Sequence, residues 1–225
     1  MTWLKYLLLF FATTCVAQIP LTGRVIDQAN ILSASEKAEL ETLLAEHEKA
    51  TSNQIVVLTI TSLDGQSVEE FSYQQGRKWG LGTKEKSNGV LFLVALNDRQ
   101  VRIEVGYGLE DVLTDAQSKL IIERTIVPYF KQGQMSKGIL QGAFAILQAL
   151  GADLNSSVQE NNPQDDSTNP WAIILLFALI GSFIFLRRWL GGGRGGFWRG
   201  GSSGGGSGFS GGGGSFGGGG SSGRW

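Results

Sequence analysis

The sequence has very few residues that supply thiol or imidazole chemistry, with one cysteine and one histidine among 225 residues. Cys15 lies within a predicted secretory signal peptide, so we expect no cysteine in the mature chain. Such a chain has no disulfides, thiol nucleophile or zinc–thiolate site, and a hydrophobic core must stabilise it. His47 has core spacing in a predicted helix, which favours a packed or surface histidine over a general base.

Basic charge is also scarce in the region that should fold, residues 21–151, which carries 13 Lys and Arg against 16 Asp and Glu. This excess of acids argues against a nucleic-acid-binding surface. Nucleotide motifs are missing as well, because Gly106-Tyr107-Gly108 lacks the later glycine of a dinucleotide fingerprint and no Walker-type lysine follows a glycine loop. We therefore expect the folded domain to bind neither nucleic acid nor a nucleotide cofactor.

The N-terminus has the pattern of a signal peptide. Lys5 precedes an apolar stretch, residues 6–12, and small residues lead to a predicted cleavage after Ala17. A lipoprotein site at Cys15 is disfavoured because the three residues before it include no large aliphatic side chain. The domain that follows is therefore expected to be exported.

The C-terminal third predicts a membrane anchor. Residues 171–186 contain no charge and are followed by Arg187 and Arg188, which predicts a single transmembrane helix over residues 171–190. The positive-inside rule then places the tail in the cytoplasm and the domain outside the inner or plasma membrane, in the periplasm of a bacterium with two membranes.

The remaining segments are predicted to be unstructured. Residues 152–170 are polar and acidic and indicate a flexible tether. The tail, residues 191–225, holds 20 glycines, so it buries too little apolar surface to offset lost backbone entropy and should be disordered. The predicted organisation is a signal peptide (1–17), an α/β domain (18–151), the tether (152–170), a transmembrane helix (171–190) and the glycine-rich tail (191–225).

The centre of the predicted domain is a hairpin over residues 88–110. Residues 90–96 are a continuous apolar run, which predicts a strand buried on both faces. After a turn at residues 97–99, three aliphatic residues alternate with Arg102 and Glu104. This period of two predicts a strand that turns its aliphatic side chains to the core and its charges to the other face.

The rest of the domain should surround this hairpin. Residues 54–60 predict a second buried strand, and the strand, helix and strand over residues 54–96 form a parallel crossover. Capping boxes predict helix starts at Ser33, Ser67 and Thr114. The third of these helices should stop near Pro128, and a fourth helix is predicted over residues 136–150. The predicted fold class is α/β, a mixed β-sheet with helices on both faces, followed by one transmembrane helix and a disordered tail.

The same stretches resemble the TPM domain family. The turn Ser87-Asn88-Gly89, the buried run after it, the Asp98-Arg99 turn and the sequence RIEVGYGLE carry this resemblance, which extends over residues 21–151. It implies a TPM-like α/β domain and a similar glycine-rich tail. It also implies phosphatase-like activity, which is attributed to part of the family.

Carboxylates and amides are the remaining candidates for chemistry. Several follow predicted strands or lie at turns, where the loops of an α/β sheet gather at one rim. Because Ca²⁺ and Mg²⁺ prefer oxygen ligands, the candidate ligands of a divalent cation are Asp27, Asp64, Asn88, Glu110 and Asp115. Asn88 is the weakest, since its strand direction can place it at the other rim. The competing interpretation is that each acid is a solvated turn former or helix cap.

Two classes of function remain open. One is a membrane-tethered extracytoplasmic accessory domain that binds envelope or membrane proteins or assists their assembly and turnover, with any cation structural. The alternative, implied by the resemblance, is a metal-dependent phosphatase-like hydrolase, in which the ion polarises a phosphoryl oxygen and activates water. The accessory domain is favoured because the sequence offers no evident nucleophile, and Arg99 and Arg102 are the only candidate phosphate-binding cations. No catalytic residue is predicted.

Overall fold

Residues 19–152 and 209–225 are the part of the chain that the computed structural model describes. They belong to one compact unit. The predicted signal peptide, the transmembrane helix and nearly all of the tether lie outside the described residues. Within them, no helix combines the length and the apolar character that crossing a membrane requires.

Helices and strands alternate along the first part of the chain. The strands are β1 Val25–Asp27, β2 Gln54–Ile60, β3 Gly89–Ala95, β4 Gln100–Gly106 and β5 Phe216–Arg224. The α-helices are α1 Ala34–Thr51, α2 Val68–Trp79, α3 Asp115–Leu120, α4 Val127–Lys131 and α5 Met135–Ala149. A 3₁₀ turn, Tyr107–Leu109, follows β4, and a π-helical stretch, Ile121–Ile126, joins α3 to α4.

The five strands form one mixed sheet in the order β1-β2-β3-β4-β5. The β1–β2 and β2–β3 pairs are parallel, whereas β3–β4 and β4–β5 are antiparallel. Phe92 lies at the middle of β3, opposite Val57 on β2 and Ile103 on β4, and is fully buried. The predicted mixed sheet centred on residues 90–96 is therefore confirmed.

Helices cover both faces of the sheet, as predicted. One face of β2 and β3 packs with α2 in an apolar cluster that includes Leu58, Leu93 and Trp79. On the other face α5 approaches β3 so closely that a β-carbon on Gly142 would lie 3.0 Å from the Phe92 ring. The α1 helix contacts both α5 and β2.

The predicted capping signals form in the structure. Ser33 with Glu36 and Thr114 with Gln117 make reciprocal capping boxes, in which the hydroxyl and the N3 side chain each accept a backbone N–H. The Ser67 hydroxyl accepts the backbone N–H three residues on, at the start of α2. These local hydrogen bonds set the helix starts independently of the sheet.

The third helix does not stop at Pro128, contrary to the prediction. The backbone N–H of Val127 bonds to the carbonyl of Ile122, five residues back, so the helix widens into a π-turn before the proline. Pro128 then lies in the first turn of α4, where a missing N–H costs little, and the helix continues to Lys131.

The largest departure from the prediction is in the glycine-rich tail. Residues 209–225, expected to be disordered, lie along the domain, and Phe216–Arg224 form β5 at the edge of the sheet. The prediction considered only the apolar surface of the tail itself. It omitted the open edge of β4, which offers a row of backbone donors and acceptors to an extended chain, and the aromatic side chains that the tail buries against the domain.

Candidate functional site

The edge of the sheet at β4, called the β4 edge here, is the most distinctive surface of the fold. It pairs with β5 through seven residue pairs, from Gln100 opposite Arg224 to Gly106 opposite Phe216. A register shift occurs between Val105 and Gly106. The strand therefore comes from a segment that lies beyond the domain in sequence and is held along the whole length of β4.

A buried ion pair lies beneath this pairing. The Nε of Arg102 lies 2.6 Å from Oε2 of Glu104, and both side chains are almost completely buried. The Ser72 hydroxyl on α2 donates to the same oxygen at 3.1 Å. The second guanidinium nitrogen, Nη2, donates to the carbonyl of Gly218 on β5 at 3.2 Å. The ion pair thus links α2, β4 and β5.

The environment of Glu104 is electrostatically costly. Burial raises the pKa of Glu104, and the neighbouring Arg102 offsets this effect in part. Among the described residues, the other carboxylate oxygen, Oε1, has no hydrogen-bond partner. A buried group of this kind is sensitive to whatever covers it, and here the cover includes β5.

A second polar contact joins β5 to the start of α2. The Ser222 hydroxyl donates to Glu69 at 2.6 Å, and this hydrogen bond holds the pKa of Glu69 below its ordinary value. An open cleft of about 560 Å³ lies beside it, lined by Glu69, Asp98 and Arg224 among others. Acidic and basic side chains therefore meet at this end of the strand.

Trp225, which follows β5, makes an aromatic contact with the domain. The Trp225 ring packs edge-on against Phe130 of α4, with ring centroids 4.5 Å apart. A cleft of about 750 Å³ borders this pair and is also lined by Arg99 and Lys131. Trp225, directly after β5, therefore has a defined position against the domain.

The predicted cation ligands on the first two strands have structural roles. The Asp27 carboxylate accepts the backbone N–H groups of Ile31 and Leu32 at 3.1 and 2.9 Å and also the hydroxyl of Thr59. Asp64 lies in an exposed turn after β2, with φ of 51°. Asp27 thus acts as a loop cap and Asp64 as a turn former.

Asn88 is buried at the start of β3. Its Oδ1 accepts the backbone N–H of Thr83 at 2.9 Å, and its Nδ2 donates to the Ser52 carbonyl at 2.8 Å and to the Asn53 side chain at 3.1 Å. The amide therefore fixes the loops before β2 and β3.

Glu110 and Asp115 lie beside the C-terminal segment. Asp115 accepts the backbone N–H of Gly220 at 2.6 Å, and a β-carbon added to Gly219 would overlap the Glu110 carboxylate. Both acids therefore border β5.

The structure does not bring the five candidates together. Asp27 and Asp64 follow the carboxyl ends of parallel strands, whereas Asn88 precedes β3 and Glu110 follows the antiparallel β4, at the opposite rim. Across residues 19–152 and 209–225, no three Asp, Glu, His or Cys side chains are grouped to hold a metal ion. Asp27 and Asp64 are therefore separated from Asn88 and Glu110 across the length of the sheet, and cation binding by any of the five residues stays a prediction.

Sequence reasoning missed the polar cluster at the β4 edge. The alternating pattern in β4 correctly predicts that Arg102 and Glu104 lie on the face opposite the aliphatic side chains. It does not indicate that α2 and β5 cover this charged face as well. The signal that could have found it is Ser72, a small polar residue on the buried side of α2.

The fold is thus that of an α/β domain whose mixed sheet is completed by a strand from the distal end of the chain. The TPM domain profile matches residues 25–149. This is more than half of the sequence, and the chain belongs to the TPM domain family. The resemblance seen in the sequence is confirmed. No curated protein matches the chain.

Similar solved structures are N-terminal domains or small proteins from bacteria. The N-terminal domain of a P. gingivalis protein, solved in solution by NMR, is 30% identical with a TM-score of 0.54, covering 57% of this chain and 82% of that one. The N-terminal domain of the cg2496 protein from Corynebacterium glutamicum is 20% identical with a TM-score of 0.46, covering 59% and 84%. The BA42 protein from Bizionia argentinensis is 28% identical with a TM-score of 0.46, covering 53% and 81%.

Proposed function

We propose that this chain is a membrane-tethered, extracytoplasmic accessory protein of the TPM family that binds protein segments by accepting an extended strand at the β4 edge. The observation that carries the proposal is the pairing of β4 with a strand from outside residues 19–152. Strand addition to a sheet edge is a general mode of protein recognition, in which main-chain hydrogen bonds supply affinity and side-chain contacts supply specificity. Envelope or membrane proteins are the partners that such a location offers.

The structure of the edge supports this function. Without a partner, β4 would expose a row of backbone N–H and C=O groups, an arrangement that favours uncontrolled association. It would also uncover the side of Arg102 that bonds to Gly218. A sheet edge with these properties is suited to a partner strand.

The alternative, a metal-dependent hydrolase, finds no specific support in the described residues. Asp27 and Asn88, two of the predicted ligands, already hydrogen-bond to loop backbone or neighbouring side chains. We therefore advance strand binding alone.

The proposal is tested by binding of a fluorescent peptide with the sequence of residues 209–225 to the purified domain, residues 18–152. The domain is expected to fold without the tail because the P. gingivalis relative is an N-terminal domain studied alone in solution. We expect saturable binding by fluorescence anisotropy and none for a scrambled peptide of the same composition. Absence of binding to a domain shown to be folded by NMR overturns the proposal.

The hydrolase alternative is measured on the same preparation with p-nitrophenyl phosphate, in the presence of Ca²⁺ or Mg²⁺. We expect no turnover above buffer. Turnover that a chelator abolishes would favour the hydrolase.

A further inference from the structure

We propose that the resident ligand of the β4 edge is the C-terminal segment of this same chain, residues 209–225, selected by its glycines and its aromatic side chains. A consequence is that this segment and the domain lie on the same side of the membrane. The inference rests on the proposed strand-binding function and goes further, since it names the occupant and its compartment.

In the register of β5, the β4 edge accepts glycine at positions where a larger residue would overlap the domain. A β-carbon at any of four glycines of β5 would overlap the domain: Gly217 against the Tyr107 ring, Gly219 against the Glu110 carboxylate, Gly220 against the Ile103 carbonyl oxygen and Gly223 against the Ile122 side chain. At Gly220 the obstacle is backbone, and its φ of 115° also disfavours any other residue. The site therefore selects a glycine-rich strand.

Aromatic side chains anchor the segment at three points. Phe216 is 2% exposed and belongs to the apolar cluster that packs against α2. Its ring lies against Gly76, where the absence of a side chain leaves room for it. Trp225 packs against Phe130, as described above. Near the start of the segment, the Arg24 guanidinium lies 4.4 Å from the centre of the Phe209 ring. The spacing of these aromatic residues fixes the register of β5 against β4, which a run of glycines alone would leave undefined.

The segment is also held before β5 begins. The N–H of Gly213 donates to the carbonyl of Gly80 at 2.8 Å, and the N–H of Gly214 donates to that of Gly82 at 2.9 Å. Together with the hydrogen bond from Gly220 to Asp115, these contacts fit the backbone of the whole segment to the domain. Such complementarity identifies this segment as the resident occupant of the β4 edge.

The proposed docking is incompatible with the single-pass topology expected from the sequence. Strand pairing requires contact, and the hydrocarbon core of a bilayer is about 30 Å thick. A tail in the cytoplasm therefore cannot pair with an exported domain.

The test uses the full chain, with Cys15→Ser, in a bacterium with two membranes. Gln100 and Arg224 face each other across the β4–β5 pair, and opposite strand residues come within disulfide range. After oxidation in intact cells, Gln100→Cys with Arg224→Cys should give a disulfide within one chain. The mismatched pair, Gln100→Cys with Ser215→Cys, should not.

Two further variants test the selection. Adding Gly220→Ala to the matched pair should abolish the disulfide, whereas adding Ser221→Ala, one residue along, should leave it. A disulfide that survives Gly220→Ala contradicts selection by glycine, and a disulfide between two chains contradicts the intramolecular occupant.

The side of the membrane is read with a membrane-impermeant maleimide on cells whose outer membrane is permeabilised. Single cysteines at the exposed positions Ser35 and Ser215 should both be labelled. If Ser35→Cys is labelled in these cells but Ser215→Cys is labelled only after detergent is added, residues 209–225 lie across the membrane from the domain. That result overturns the inference. Peptide binding by the isolated domain would then still stand, so the two proposals fail separately.

Discussion

Arg102 and Glu104 form an ion pair 2.6 Å apart, two residues from each other on one face of β4, and β5 and α2 cover it. Removing one partner of a buried ion pair leaves the other charge uncompensated and is strongly destabilising, and here β5 also shields the pair from water. The pair therefore reports on whether the tail is docked, and it distinguishes a completed sheet from an open one.

Replacing one member of the pair should destabilise the purified chain strongly. Arg102→Leu leaves the Glu104 carboxylate buried without its counter-charge, a change that typically costs about 3–5 kcal/mol. The double variant, with leucine at both positions, should recover most of the loss because neither charge remains. Urea denaturation measures both, with the exposed Arg124→Leu as the matched control. Equal losses in the single and double variants would contradict the role of the pair.

Removing residues 209–225 should move two carboxyl pKa values in opposite directions. Glu104 gains access to water, so its raised pKa falls; Glu69 loses the Ser222 hydroxyl, so its lowered pKa rises. NMR titration of the side-chain carboxyls measures both. Unchanged values in the truncated chain would show that β5 is not docked in solution.

The free energy of unfolding of the intact chain should depend on pH because of Glu104. Because its folded pKa is raised, Glu104 keeps its proton to higher pH in the folded chain than in the unfolded chain. Its contribution is therefore fully present below the ordinary glutamate pKa and is lost as the pH rises through the folded value. Glu104→Gln should remove this decline, which begins above the ordinary glutamate pKa, as measured by urea denaturation. An identical pH profile in the variant would argue against a raised pKa.

Phe92→Ala should be among the most damaging single changes in the domain. Phe92 is fully buried at the centre of the sheet, and removing a buried phenyl group typically costs about 3–5 kcal/mol. Val112→Ala, at a position that is 47% exposed, is the control and should cost far less. Similar melting temperatures for the two variants would mean that the core is misassigned.

Calcium is expected to leave the melting temperature of the domain unchanged. Asp27 and Asp64 lie at one rim and Asn88 and Glu110 at the other, and Asp27 already caps a loop. Differential scanning fluorimetry with Ca²⁺, Mg²⁺ or chelator measures this. A calcium-dependent rise that Asp64→Asn abolishes would restore the cation site.

Local features of this fold could be predicted from the sequence because local interactions create them. The capping boxes at Ser33 and Thr114 and the buried strand around Phe92 follow from neighbouring residues. The rim positions of Asp27 and Asn88 depend on strand direction, so their separation follows only once the whole sheet order is known.

The candidate site could not be predicted in this way because its parts lie far apart in sequence. The hydrogen bond from Arg102 to Gly218 spans 116 residues, and composition alone favours disorder for a glycine-rich chain. Composition does not include the surface of the domain against which the glycine-rich segment packs. At Gly220 a side chain would overlap the backbone of β4, so β5 can pair with the β4 edge only if this residue is glycine.

Amide hydrogen exchange along β4 tests the central claim most directly. In the intact chain and in Ser221→Ala, the β4 amides that face β5 should be protected, whereas in Gly220→Ala and in a chain ending at residue 208 they should exchange rapidly. The amides of β3, paired on both sides within the domain, serve as the internal reference. Equal exchange of β4 in all four chains would show that the β4 edge does not hold the C-terminal strand.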